Sequence, residues 1–218
     1  MSSAVVFGGT GLVGNYLIKT LINDEYYTKI KAFTRSEINI TNSKLEIINI
    51  NFDNFEEFQN LILADSCFFC IGTTKKNSPD KDEYKRVELD IPKKIAQIAK
   101  LNSVKSFFFV SSGYADSKSS GDYLKFKGLV EEELKRLNFS KLGIMRPSFL
   151  MGNRKENRVG ERLGIFTFKL ISPLLLGPLK KIRPIHSDTV AKAMIKIANN
   201  DFQQNIFESN EIEELNNS

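Results

Sequence analysis

The sequence predicts an α/β domain of the doubly wound kind, with helices on both faces of a parallel sheet. Three observations carry that prediction. Apolar runs of strand length alternate with longer stretches of helical period, as in successive βαβ units. The first run, Ala4 to Phe7, passes straight into Gly8-Gly9-Thr10-Gly11-Leu12-Val13-Gly14 and then into a helical stretch. The run Ser106 to Val110 holds three phenylalanines and a valine without alternation, the pattern of a strand covered on both faces.

The elements follow in order. After the first strand a helix is predicted from about Leu12 to Ile22, then strands at Ile30 to Thr34, Leu45 to Ile50 and Ser66 to Ile71. Helices fit from about Asn54 to Leu63 and from about Asp82 to Leu101. The fifth strand, Ser106 to Val110, leads into a polar loop, Ser111 to Gly121, and a helix from about Asp122 to Leu137. A sixth strand, Leu142 to Met145, ends at Arg146-Pro147, and the rhythm then changes. Gly152 to Gly160 reads as a basic loop and Glu161 to Leu176 as an apolar helical stretch broken by Pro173. A last helix, about Asp188 to Ala198, precedes a short strand near Asn205 to Glu208 and an acidic tail.

The whole chain, 218 residues with 41% hydrophobic and 26% charged, suits one domain. Its core is expected at about 1–146, a small C-terminal substrate lobe at about 147–187, and a closing helix and tail at 188–218. A formal net charge of +5 suits anionic small molecules but is too thin for a dedicated nucleic-acid binder. No run approaches the ~18 apolar residues of a membrane span; the longest candidate, Ile171 to Leu179, contains Pro173 and Pro178. Two cysteines make no disulfide framework, and no metal-site spacing occurs. The start, MSSAVVFGGTG, lacks a basic segment ahead of an apolar one, so the expected address is the cytoplasm. Monomer or homodimer is expected at this size.

The glycine segment contains G-x-x-G-x-x-G (8, 11, 14) and G-x-G-x-x-G (9, 11, 14) between a strand and a helix. Glycines there permit a tight turn and let backbone N–H groups approach a pyrophosphate at a helix N-terminus, the device of the dinucleotide-binding Rossmann fold. A P-loop would need Lys-Ser/Thr after Gly14, where Asn15-Tyr16 stand. In the Rossmann fold an acid at the end of the second strand reads the ribose of NAD, whereas Arg accommodates the phosphate of NADP. Arg35 stands there, with Glu37 two residues late, so NADP(H) is inferred over NAD(H). Asp53 follows the third strand, placed equally to accept from the adenine amino group and to N-cap the next helix with Glu56 as capping partner.

Tyr-x-x-x-Lys on a helix suits proton transfer beside a nicotinamide. Residues i and i+4 share a face, and the ammonium favours the phenolate. Three such pairs occur in this lysine-rich chain, Tyr27/Lys31, Tyr114/Lys118 and Tyr123/Lys127, so position decides. The first spans the start of the second strand and the second lies in a Gly/Ser/Asp-rich loop. Only Tyr123/Lys127 is on a helix, at the edge of the apolar stripe Phe126, Val130, Leu134 and Leu137. Ser111-Ser112 close the fifth strand at the carboxyl edge, where doubly wound sheets bind ligands. Ser112 is assigned to polarise a substrate carbonyl, with Ser111 in reserve.

In order along the chain, VVFGGTGLVG, FTRS, FFCIGTT, FFFVSSGYAD, YLKFKGLVEEEL, IMRPSFLMGNRKENRVGER and IRPIHSDTVAKAM resemble the atypical short-chain dehydrogenase/reductases, in particular their Tat-interacting-protein-type subgroup. The resemblance implies NADPH on the glycine loop and on the Arg after the second strand, matching Gly8, Gly11, Gly14 and Arg35. Around them the cofactor set is completed by Thr10, Leu12, Val13, Asp53, Gly72 and Lys127. It implies Tyr123 as general acid/base, Lys127 as its tuner and ribose ligand, and the serine after the fifth strand as carbonyl partner. The activity implied is hydride transfer to or from a small carbonyl or alcohol. A cofactor-binding sensor, and an epimerase or dehydratase using bound NAD(P), are the alternatives, since the family also includes regulators. The YADSKSSGD loop is this chain's own and leaves substrate shape open.

Weaker signals have plainer readings. Cys67-Phe-Phe-Cys70 lies in a predicted buried strand and reads as core. His186, the single histidine, reads as a packing or rim residue, with Asp188 the one nearby carboxylate. Arg154, Lys155, Arg158 and Arg162 read as a solvated loop that could steer an anion. The stretch Phe166 to Leu179 with Lys180, Lys181 and Arg183 reads as a roof over the site ahead of a membrane-surface or subunit contact.

Overall fold

The computed structural model describes residues 2–152 and 182–217. Strands β1 (Ser2–Phe7), β2 (Tyr27–Thr34), β3 (Leu45–Asn49), β4 (Ser66–Phe69), β5 (Ser106–Val110), β6 (Lys141–Arg146) and β9 (Ile206–Glu208) form one sheet in the order β3-β2-β1-β4-β5-β6-β9. Every pairing in it is parallel. A second, two-stranded parallel sheet joins β7 (Leu150–Met151) to β8 (Ile185–His186). Helices α1 (Leu12–Asn23), α2 (Lys81–Lys85), α3 (Ile91–Leu101), α4 (Asp122–Leu137), α5 (Ser187–Asn199) and α6 (Ser209–Asn217) complete the described elements. This is the expected doubly wound Rossmann architecture.

Because strand side chains alternate between faces, the phenylalanine-rich strands feed two cores at once. Phe7, Phe33, Phe69, Phe107 and Phe109 point to one face, packed with Ile95 and Ala99 of α3 and Val130 and Leu134 of α4. Val6, Ala32, Phe68 and Phe108 point to the other, packed with Leu17, Ile18 and Leu21 of α1 and Val190, Met194 and Ile197 of α5. Register places rings side by side: Phe7 opposite Phe33 stacks at 4.8 Å between centroids, and Phe68 opposite Phe108 at 4.9 Å. Each such fully buried ring contributes about 1.5–3 kcal/mol relative to exposure. Strand order reverses between β2-β1 and β4-β5, so a crevice opens beyond the carboxyl ends of β1 and β4.

Three local departures have physical causes. The helix expected over Asn54 to Leu63 is two 3-10 turns, Phe55–Glu57 and Gln59–Leu61. Phe52, Phe55 and Phe58 recur every three residues and pack together, with centroids 5.4 to 6.0 Å apart, and a three-residue repeat favours the tighter helix. The helix expected over Asp82 to Leu101 widens into a π turn at Arg86–Asp90 between α2 and α3. Pro92 causes it: proline has no N–H to give to the Glu88 carbonyl four residues back, and Ile91 N–H bonds Arg86 O instead. The acidic tail, to which the sequence assigns no element, forms α6, anchored by fully buried Ile212 and by Ser209.

The boundary where α4 ends is set by Asn138, in the left-handed conformation at φ 48°, a common helix stop. The strands β7 and β8 and the helix α5 hold the ends of the segment expected to form the substrate lobe. The basic run Arg154, Lys155, Arg158 and Arg162 and the stretch Phe166 to Lys181 lie outside the described residues.

Candidate functional site

The crevice begins with the glycine loop. Gly8 takes φ +89°, a conformation L side chains rarely adopt, and its carbonyl accepts from Gly11 N–H at 2.9 Å. A Cβ on Gly8 would lie 2.8 Å from the Cys70 backbone carbon, and one on Gly14 would lie 2.1 Å from Gly8 O. These glycines thus let the loop fold against the end of β4 and the first turn of α1 fold against the loop. Gly11 is the N-cap of α1; no side chain caps this terminus and its first turn carries no acid. Its outward N–H groups and the positive end of the helix dipole therefore suit an anion. Thr10 and Gly11 are exposed, Leu12 is half-buried and Val13 is buried, so the loop backbone is accessible while α1 stays anchored.

Arg35, exposed at the end of β2, sets its guanidinium 5.9 Å from the centroid of Phe52 and makes no ion pair among the described residues. That leaves its fork open toward solvent, the chemistry a 2′-phosphate needs. Asp53 is exposed and ion-paired with Arg86, which also bonds Glu83 at 3.0 Å. The expected N-capping role of Asp53 is corrected: Asn54 occupies the N-cap and no side chain caps the turn.

On the other side of the crevice, α4 carries Tyr123, 38% exposed, and Lys127, 3% exposed. The Lys127 Nζ lies 6.0 Å from the Tyr123 ring centroid, 4.9 Å from that of Phe109 and 3.3 Å from Val110 O, to which it donates. It also forms an ion pair with Glu88 Oε2 at 3.0 Å. Burial alone would lower the Lys127 pKa, but the Glu88 carboxylate, with Tyr123 and Glu131, outweighs it and holds the ammonium above its ordinary value. The Oε1 of Glu88 accepts the Thr73 backbone N–H. Exposed Gly72 lies beside both groups: a Cβ there would be 3.5 Å from Glu88 Oε1 and 3.8 Å from Lys127 Nζ.

The two serines after β5 differ. Ser111 is buried and donates to Glu131 Oε1 at 2.6 Å, within a network in which Arg146 binds Glu131 at 2.5 Å, Glu208 at 3.3 Å and Ala115 O at 3.0 Å. Ser112 is half-buried, and among the described residues its hydroxyl donates only to Gly113 O, at 3.3 Å. The other Tyr-x-x-x-Lys pairs are dispersed. Tyr27 donates to Ser66 Oγ inside the fold while Lys31 reaches Leu61 O, and Tyr114 sits in a turn at φ 63°.

The NmrA-like family matches residues 1–215. The chain belongs to that family. This NmrA-like chain is 31% identical to protein HTATIP2 of Rattus norvegicus over 165 residues, covering 74% of the chain and 68% of the relative. It is 29% identical to protein FMP52-1, mitochondrial, of Scheffersomyces stipitis, over 98% of both chains. In fold it is similar to the Bordetella bronchiseptica enzyme WbmH in complex with NAD+, with a TM-score of 0.71 at 12% identity over 95% of this chain and 75% of that one. It is likewise similar to a UDP-N-acetylglucosamine 4-epimerase of Methanobrevibacter ruminantium, TM-score 0.67 at 18% identity over 94% and 74%. The atypical short-chain dehydrogenase/reductase resemblance is thereby established. The cytoplasmic expectation is corrected: several relatives spanning about nine-tenths or more of the NmrA-like chain are named mitochondrial proteins.

The remaining signals are placed plainly. Cys67 is fully buried and Cys70 half-buried; burial pushes the Cys70 thiol up to about 12 against the opposing pull of Lys127, so neither is an activated thiolate. His186 is exposed before α5, and Asp188 pairs with Lys192 at 3.4 Å instead. Among the described residues no group of three or more His, Cys, Asp or Glu could hold a metal, and no helix is long and apolar enough to cross a membrane. The contacts of Glu88 with Lys127 and Thr73 are not legible in the sequence; the one available signal is Pro92, which breaks the helical ladder beneath Glu88.

Proposed function

We propose that this chain is an NADP(H)-dependent oxidoreductase that transfers hydride to or from a small carbonyl or alcohol. The observation that supports it best is the placement of Tyr123 and Lys127 on one face of α4. The ammonium is buried and the phenol side chain 38% exposed, on the helix that follows β5 at the carboxyl edge of the sheet.

A bound nicotinamide would supply or accept the hydride. The chain's own residues do the rest. Backbone N–H groups of the loop from Gly8 to Gly14, those of Thr10, Leu12 and Val13 among them, would hold the pyrophosphate. Arg35 would take the 2′-phosphate and Asp53 the adenine amino group, and Gly72, which has no side chain, would leave room for the cofactor beside Lys127. Ser112 donates to the substrate oxygen. Tyr123 gives that oxygen its proton in reduction and takes it back in oxidation. Lys127 would hydrogen-bond the ribose and stabilise the negative charge that the Tyr123 oxygen carries once its proton has left. The mitochondrial names among the relatives make the mitochondrion the address to test by fractionation.

The deciding experiment is titration of the purified protein with NADPH and NADH, followed by a panel of aldehydes, ketones and quinones monitored by loss of reduced-nicotinamide absorbance. Tight NADPH binding with turnover that Tyr123→Phe abolishes, at unchanged NADPH affinity, is the expected result. Full activity in Tyr123→Phe would refute the assignment, and tight binding without turnover would transfer it to a cofactor-sensing role.

A further inference from the structure

The Glu88 carboxylate is 1% exposed and the Lys127 ammonium 3% exposed, so their ion pair at 3.0 Å is cut off from water. Buried pairs of this kind cost desolvation that their attraction scarcely offsets, so a hydrophobic pair would hold α4 against the turn at Arg86–Asp90 at least as well. The pair also sits at an irregularity of the backbone. Glu88 is the middle residue of the π turn Arg86–Asp90, widened because Pro92 cannot bond its carbonyl, and π turns gather at functional sites. Its two carboxylate oxygens face different partners: Oε1 the backbone N–H of Thr73 in the loop after β4, and Oε2 the Lys127 Nζ on α4.

We propose that Glu88 is a positioning residue that fixes the Lys127 ammonium to the Gly72–Thr73 loop, setting its charge and direction for the cofactor ribose. The proposal rests on the reading of Lys127 as a cofactor contact. Glu88 joins the two walls of the crevice, the loop that the cofactor passes and the helix that carries Tyr123, through a single carboxylate. Lys127 then has its Nζ directed by three fixed neighbours, Glu88 Oε2, Val110 O and the face of Phe109. The titratable groups around it are Glu88 on the π turn, Tyr123 and Glu131 on its own helix, and Cys70 after β4, with Tyr84 of α2 beside Glu88. Of these Glu88 is the carboxylate in contact, so its removal leaves burial to dominate and the ammonium gives up its proton at lower pH.

Glu88→Gln separates the charge from the loop contact, because the amide oxygen still accepts from Thr73 N–H. The measurement is the Kd for NADPH, read from the fluorescence of the bound reduced nicotinamide, between pH 6.5 and 9.5, for wild type, Glu88→Gln, Lys127→Met and the double variant. Relative to wild type, Glu88→Gln should bind nearly as well at pH 6.5 and about tenfold more weakly at pH 9.5. Lys127→Met should be weak throughout, and the double variant no weaker than Lys127→Met. A Glu88→Gln curve that overlays wild type, or that is displaced equally at every pH, overturns the positioning role while leaving Lys127 as a cofactor contact. A Lys127→Met protein that binds as wild type removes that reading and the proposal with it. Should Glu88→Gln fail to fold, the double variant decides, since it removes both charges. Recovery of a cooperative melt in the double variant supports a pair coupled as described, and no recovery overturns it.

Discussion

Ser111 and Ser112 are adjacent at the end of β5, yet the Ser111 hydroxyl is committed to Glu131 at 2.6 Å inside a buried network whereas the Ser112 hydroxyl, among the described residues, meets only its neighbour's carbonyl, at 3.3 Å. Alternation along an extended segment sends the two side chains to opposite sides, so Ser111 serves the fold while Ser112 carries the proposed contact with the substrate oxygen.

The two therefore fail differently. Ser112→Ala should lower kcat by on the order of 10²-fold and leave the melting temperature unchanged. Ser111→Ala should leave turnover nearly intact and cost about 1.5 kcal/mol of stability, the worth of a hydrogen bond to a charged group. Steady-state kinetics beside urea unfolding of both variants checks this, and a reversal of the two phenotypes would exchange their roles.

Gly14 admits no side chain. With a Cβ placed 2.1 Å from Gly8 O, Gly14→Ala must push α1 off the loop, costing about 3 kcal/mol by overpacking and weakening NADPH binding at least tenfold. Calorimetry with and without NADPH is the check; a variant as stable as wild type would show that the loop can relax, contrary to its tie to the end of β4.

The proposed preference for NADPH rests on Arg35. Its guanidinium rests over Phe52 without an acidic partner among the described residues, so Arg35→Ala should raise the Kd for NADPH by about 10- to 100-fold, the loss of a charge-assisted contact of about 1.5–3 kcal/mol. NADH affinity should change by less than threefold. Equal losses for the two cofactors in parallel titrations would withdraw Arg35 from the 2′-phosphate.

How far the sequence alone reaches is visible in particular elements. The strands are legible because Val5, Phe7, Phe68 and Phe107 belong to unbroken apolar runs, and the turn after β1 because Gly8 and Gly14 are demanded by close backbone approach. Tyr123 and Lys127 stand out from three similar pairs because only theirs has a continuous helical stripe beside it. Glu88 does not, since a 3.6-residue period read through residues 82–101 takes no account of the bond that Pro92 deletes, and a buried carboxylate looks like any helix-surface acid. The 3-10 turns at Phe55 and Gln59 are hidden because three phenylalanines spaced by three also satisfy one face of an α-helix. The strands β7 and β8, two residues each, are too short for any periodicity to register.

Alkaline pH should expose the buried phenol and the buried ammonium together. Desolvation raises the Tyr27 pKa from 10.0 to about 12, with the Ser66 hydroxyl opposing, and the Lys127 ammonium also stands above its ordinary 10.5. Both groups are held protonated by the fold, so the unfolded chain releases their protons first. Their contribution to stability is therefore fully present below pH 10 and is lost as pH rises toward and through the raised values. The urea midpoint should be flat from pH 7 to about 8, begin to decline near pH 9 as the unfolded chain releases the thiol protons that burial retains on Cys67 and Cys70, and fall further beyond pH 10. Tyr27 accounts for about 2–3 kcal/mol of that fall by pH 12, since a tenfold difference in proton affinity between the folded and unfolded chains is worth about 1.4 kcal/mol. Tyr27→Phe has no proton to lose, so its midpoint should start slightly lower, for want of the bond to Ser66, and then decline less steeply than wild type. Parallel slopes for the two proteins above pH 10 would mean that the phenol ionises in place without unfolding the sheet, and that its contact with Ser66 opens to water.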